Sequence, residues 1–110
     1  MSAPSHAFDV SSIGTELTVT IRKEFDLGIL AQDWAQALIV SRPGPFKAVR
    51  FDLNLVGLVS STFFAGLVQV YQHYGQQGAA IVLSKPDARV VKNLKILRLD
   101  TLFTIEPRDG

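Results

Sequence analysis

The chain has 110 residues, of which 47% are hydrophobic and 19% charged, with a formal net charge of +1 and no cysteine. That length suits one compact domain with its own core, and that composition excludes a disordered chain. The near-neutral balance gives no bulk attraction to nucleic acid, and the missing cysteines exclude disulfides, thiolate metal sites and thiol nucleophiles.

Residues 6–10 fit a short first strand, closed by a turn at Ser11-Ser12-Ile13-Gly14. Residues 17–22 read as a second strand, with Val19 and Ile21 on one face and Thr18, Thr20 and Arg22 on the other. Residues 29–41 have helical spacing in Leu30, Trp34, Leu38 and Ser41, and Pro43-Gly44-Pro45 ends the helix. Residues 46–53 predict a strand whose Val49, Phe51 and Leu53 share the face opposite Ala48, Arg50 and Asp52. A second helix starts near Ser60-Ser61-Thr62, whose hydroxyls suit a cap, and runs to about Tyr74. Its stripe of Phe63, Leu67, Val70 and Tyr74 faces the core, widened by Phe64, Val68 and Tyr71, and Gly75 to Gly78 end it. Residues 79–83 are apolar on both faces, as in a central strand. Pro86 opens a third helix over about residues 87–98, with Val90, Val91, Leu94 and Leu97 inward, and residues 102–105 make a last strand.

Strands alternating with helices predict a single α/β domain with a mostly parallel or mixed sheet of four to five strands. The polar faces of two strands predict helices packed mainly on one side of it. Residues 53–84 contain no Asp, Glu, Lys or Arg, a length that calls for a test as a membrane span. Polar residues at 54 and 60–62, then Gln69, Gln72, His73 and Gln76 along one helix face, make an amphipathic surface helix instead. The start of the chain, residues 1–6, lacks a basic stretch followed by an apolar run, so no signal peptide is expected; a cytoplasmic location is.

The order of elements, with certain residues, resembles the STAS family (sulphate transporter and anti-sigma-factor antagonist) over about residues 17–105. Lys23-Glu24-Phe25-Asp26 occupies the place of a Gly-x-Leu-Asp-like strand end, keeping the Asp and losing the Gly. Asp52-Leu53 fits the end of the next strand. Ser60-Ser61-Thr62-Phe63-Phe64 fits the family's Asp-Ser-Ser/Thr-Gly-Leu at a helix start, with Ser60 for the Asp and Phe63 for the Gly. Leu99-Asp100-Thr101-Leu102-Phe103 resembles the closing Leu-x-x-Leu-Phe pattern.

The resemblance implies a bacterial signal-transduction module that controls transcription by protein–protein interaction. Its partner would be an anti-sigma factor of the kinase-like ATPase kind, which itself carries the ATP. It places a phosphoacceptor at Ser61, with Ser60 and Thr62 as alternates, and a partner surface at Asp26, Ser60, Ser61, Thr62, Phe63 and Phe64. Read without the resemblance, Ser60-Ser61-Thr62 is a helix cap, Asp26 a turn acid or cap, and Phe63 is divided between burial and the recognition surface. Two alternatives stand beside this reading. One is a STAS subunit of a larger lipid-transport or signalling assembly that works without phosphorylation, and the other is a carrier of a small apolar ligand beneath the uncharged helix.

His6 and His73 join no acid pair, Ser/His/Asp order, metal-spaced cluster or Gly-rich phosphate loop, so no enzyme, cofactor or metal is expected. Lys85, Arg89, Lys92, Lys95 and Arg98 make a basic stripe without interleaved aromatics, read as a solvated face with no nucleic-acid partner. Neither is direct membrane insertion expected. Homodimerisation through the uncharged helix is left open.

Overall fold

The computed structural model describes residues 8–21, 34–54 and 61–106. In chain order these hold β1 (Phe8–Ile13), β2 (Glu16–Ile21), α1 (Trp34–Ser41), β3 (Ala48–Asp52), α2 (Ser61–Gly75), β4 (Ala80–Ser84), α3 (Ala88–Ile96) and β5 (Thr104–Glu106). The strands form one five-stranded sheet in the order β1-β2-β3-β4-β5. β1 pairs antiparallel with β2, and every later pair is parallel.

The alternation read from the sequence decides which face is covered. Leu17, Val19 and Ile21 of β2, Val49 and Phe51 of β3 with Leu53 after it, and Ile81 and Leu83 of β4 are buried on one face. Against them lie Trp34, Ala35 and Leu38 of α1, Phe63, Phe64, Leu67, Val70 and Tyr74 of α2, and Val90 and Leu94 of α3, all in one cluster. The three helices share a face for a topological reason. The parallel strands are laid down in sequential order, so crossovers of one hand all fall on the same side. The other face carries Thr18, Thr20, Arg50 and Asp52, half-buried. There an ion pair from Arg50 to Glu106 reaches from β3 across β4 to β5, over the row that holds the buried Val82.

Two expectations about elements are corrected. Ser11, Ser12 and Ile13 belong to β1, and the turn is Gly14-Thr15 alone, with Gly14 at φ +61°. A two-residue hairpin loop needs such a φ, which glycine adopts without steric cost. Leu97 does not face inward. It is the C-cap of α3 and 51% exposed. Both α2 and α3 end in a Schellman turn, which closes their last carbonyls. Ala79 N–H donates to Tyr74 O and Gly78 N–H to Gly75 O, with Gly78 at φ +86°. In α3, Leu99 N–H donates to Leu94 O and Arg98 N–H to Lys95 O, with Arg98 at φ +61°. This turn swings Leu99 back against the core and leaves Leu97 outside.

Candidate functional site

The described candidate residues lie at the start of α2, which follows β3. β2 and β3 are adjacent and parallel, so the segments that follow Ile21 and Asp52 both leave from the carboxyl ends of neighbouring strands. That edge is where a parallel α/β sheet most often presents its binding residues. Asp26 and Ser60 lie outside the described residues. Ser61 and Thr62 are the first two residues of α2, described by their backbone. At the end of β3, Asp52 Oδ1 accepts from Asn54 N–H at 3.0 Å, turning the chain out of the sheet. Leu53 N–H, donating to Ser84 O at 2.9 Å, ties the same point to β4.

Phe63 and Phe64 are not part of an exposed recognition surface. Phe63 is 0% exposed and Phe64 5%. The Phe63 ring stacks on the Trp34 indole at 5.3 Å and 18°, and Phe64 meets its edge at 5.8 Å. Both azimuths at the start of α2 are therefore buried in the core. Trp34 also meets Phe51 edge-on at 5.8 Å, which links α1 to β3. Gly66 makes this approach possible, since a Cβ there would collide with the indole Nε1 and Cε2. The bulk at Phe63 is therefore a packing element that anchors the helix beginning at Ser61.

The far end of α2 is fastened to the chain that follows α1. Tyr74 O–H donates to Arg42 O at 2.5 Å, and Gln77 Nε2 donates to Pro43 O at 2.8 Å. Phe46 N–H donates to Gln77 Oε1 at 3.3 Å, and His73 Nε2 lies 3.0 Å from Pro43 O. Burial pushes the Tyr74 phenol up to about 12, with the Arg42 charge pulling weakly the other way. The uncharged solvent side of α2 is as the spacing predicts. Gln69, Gln72 and Gln76 are exposed, and residues 61–75 of the stretch form a 15-residue amphipathic helix. No described helix is long and apolar enough to cross a membrane. A depression of about 280 Å³, lined by Tyr71, Gln72, Gly75 and Gln76, lies on the solvent side of α2, whereas its underside is packed core. Periodicity assigned Tyr71 to the core margin, but Tyr71 is 36% exposed, its ring edge-on to Phe103 at 6.0 Å.

Comparison with known proteins agrees with this architecture. No curated protein matches the chain by sequence. Among solved structures, the NMR structure of the protein TM1081 is similar at a TM-score of 0.78 and 16% identity, covering 97% of this chain and 86% of that one. The anti-sigma factor antagonist SpoIIAA, in its unphosphorylated form, is similar at a TM-score of 0.65 and 10% identity, covering 94% of this chain and 89% of that one. The family model described as the STAS domain matches residues 7–108, which span every described strand and helix, and the chain belongs to the STAS domain family.

Proposed function

We propose that this STAS domain is an anti-sigma-factor antagonist-like interaction module, which binds a regulatory protein at the start of α2 and is switched by phosphorylation of Ser61. The observation that carries the reading is the position of Ser61. It opens α2, within residues 53–84, which hold no charged side chain. A helix N-terminus presents free amides and the positive end of its dipole, so a phosphate there is accepted without unfolding. The same phosphate adds about −1.5 to −2 charge to a helix start that carries none of its own, and a partner fitted to the unmodified helix loses its match. The fold likeness to SpoIIAA, an anti-sigma factor antagonist solved in its unphosphorylated form, supports the same partner class. That partner is an anti-sigma factor of the kinase-like ATPase kind; it supplies the ATP, and this chain catalyses no reaction.

Incubating the cognate kinase and ATP with wild type, Ser60→Ala, Ser61→Ala and Thr62→Ala, then mapping the phosphate, tests the switch. Label is expected in all but Ser61→Ala. Label that persists in Ser61→Ala and vanishes in Ser60→Ala moves the acceptor by one residue. Ser61→Asp is expected to keep the fold and weaken partner binding about tenfold, or about 1.4 kcal/mol, while Ser61→Ala binds constitutively. A second reading, a subunit of a larger assembly that works without phosphorylation, is favoured by one observation. Phe63 stands where the family's motif has a glycine and is locked against Trp34, so this helix start departs from the switch motif. Absence of phosphate in every variant, with partner binding intact, selects that reading.

A further inference from the structure

We propose that the outer face of α3 and the turn that ends it form a docking surface for an anionic lipid bilayer, on which the domain lies without crossing it. Residues 85–98 hold Lys85, Arg89, Lys92, Lys95 and Arg98 against one acid, Asp87. That is a net +4, so with +1 for the whole chain the remainder carries −3. Positive charge is thus concentrated in this segment despite the near-neutral sum of the chain, and an anionic plane attracts it. Asp87 caps α3 and pairs with Arg89 at 3.0 Å. Lys92, Lys95 and Arg98, beyond that pair, are exposed.

The same face ends in exposed aliphatic side chains. Val90 and Leu94 turn one side of α3 into the core. At about 100° per residue, Lys92, Lys95 and Ile96 fall on the opposite side. Ile96 is 66% exposed and Leu97 51%. Cations around a projecting aliphatic pair are the composition of an interfacial helix, whose charges meet headgroups while its apolar side chains enter the acyl boundary. Arg98 adds to the pattern. It holds the left-handed position after the C-cap, φ +61°, which glycine fills without steric cost, so a cation stands there beside Ile96 and Leu97.

Other anionic partners fit less well. A nucleic-acid duplex would use the cations but has no place for Ile96 and Leu97, and residues 85–98 hold no aromatic side chain for stacking. An acidic protein segment would need a groove, and these side chains project. A bilayer accepts a projecting pair. The end of this surface that carries Ile96 and Leu97 is also separate from the start of α2. Both helices begin at the carboxyl edge of the sheet and run back, so Ser61 and Ile96 to Arg98 lie at opposite edges.

Flotation of the full chain with vesicles tests the proposal, using phosphatidylcholine alone and an equimolar mixture with phosphatidylglycerol. Binding is expected to the anionic vesicles alone and to fade as salt rises. Lys92→Glu with Lys95→Glu should lower the bound fraction about tenfold. Ile96→Ser with Leu97→Ser, which changes no charge, should lower it about fivefold. Circular dichroism checks that both variants are folded. Ser61→Asp should float like wild type, which separates failure here from failure of the switch. Equal binding to both vesicles, or none, overturns the proposal. So does anionic binding that ignores Ile96 and Leu97 and is matched by a short DNA duplex or by polyglutamate, which would make the face a general polyanion site.

Discussion

Gly66 sits mid-helix, where alanine would raise helix propensity by about 1 kcal/mol. Here the propensity gain loses to packing. The atoms a Cβ would strike, Nε1, Cε2 and Cζ2, belong to the rigid indole of Trp34. That indole is held by the face of Phe63 and by Phe51 in an edge-on contact, so it cannot yield alone. Overpacking of this kind costs about 1–3 kcal/mol, and Gly66→Ala is expected to destabilise by about 1–2 kcal/mol on balance. Trp34 is the only tryptophan in the chain, so its fluorescence reports the displacement directly. A more stable variant with unchanged emission would show that the indole does not lie on α2. Phe51 tests the same core from the sheet side. It is 0% exposed, and Phe51→Ala is expected to cost about 3–5 kcal/mol in urea unfolding. A loss below about 1 kcal/mol would reverse the faces of β3.

At one end α1 is held on α2 by Trp34 against Gly66 and Phe63, and at the other the chain just after α1 is held by Tyr74 on the carbonyl of Arg42. The second joint depends on pH. The Tyr74 phenol is raised from 10.0 to about 12, chiefly by burial, so the folded state holds its proton more tightly than the unfolded chain does. The resulting stability is fully present below pH 10 and is lost as pH rises from 10 toward 12. Tyr74→Phe should lose about 1 kcal/mol at neutral pH with the hydrogen bond, and should then fall less steeply than wild type across that alkaline window. Parallel slopes would place the phenol in water. The elements were legible where burial imposes a period. β2, β3 and β4 show alternation because one of their faces meets the helices, and the glutamines of α2 mark its wet side. β1 was read too short because it is an edge strand whose residues 11–13 are exposed, so Ser11 and Ser12 show the turn preference of serine and no burial pattern. Leu97 was misread because helical spacing was carried one residue past Ile96, into a turn that follows different geometry.

For the whole molecule, the sequential strand order puts every helix on one face and every crossover start at one edge. The candidate site was legible only in part. The residue types and their order marked the start of α2, but the burial of Phe63 depends on Trp34 and Phe51, which come from other elements and are invisible to spacing along α2. The basic stripe was legible as charge. Its pairing with Ile96 and Leu97 was not, because only the turn at Arg98 decides that Leu97 stays outside. The two surfaces then predict separable behaviour. Lys92 and Lys95 are exposed on α3, so Lys92→Glu with Lys95→Glu should change unfolding stability by no more than about 0.5 kcal/mol. Sites this far apart with no shared partner are close to additive, so the affinity for the regulatory protein should also hold within about twofold. Ser61→Asp should do the reverse, weakening the protein partner while leaving vesicle binding unchanged. Isothermal titration with the partner and flotation with anionic vesicles, run on both variants, give a two-by-two comparison. If the lysine variant loses the protein partner, and wild-type binding of that partner weakens steeply with salt, the partner docks on α3 and the start of α2 is not its site.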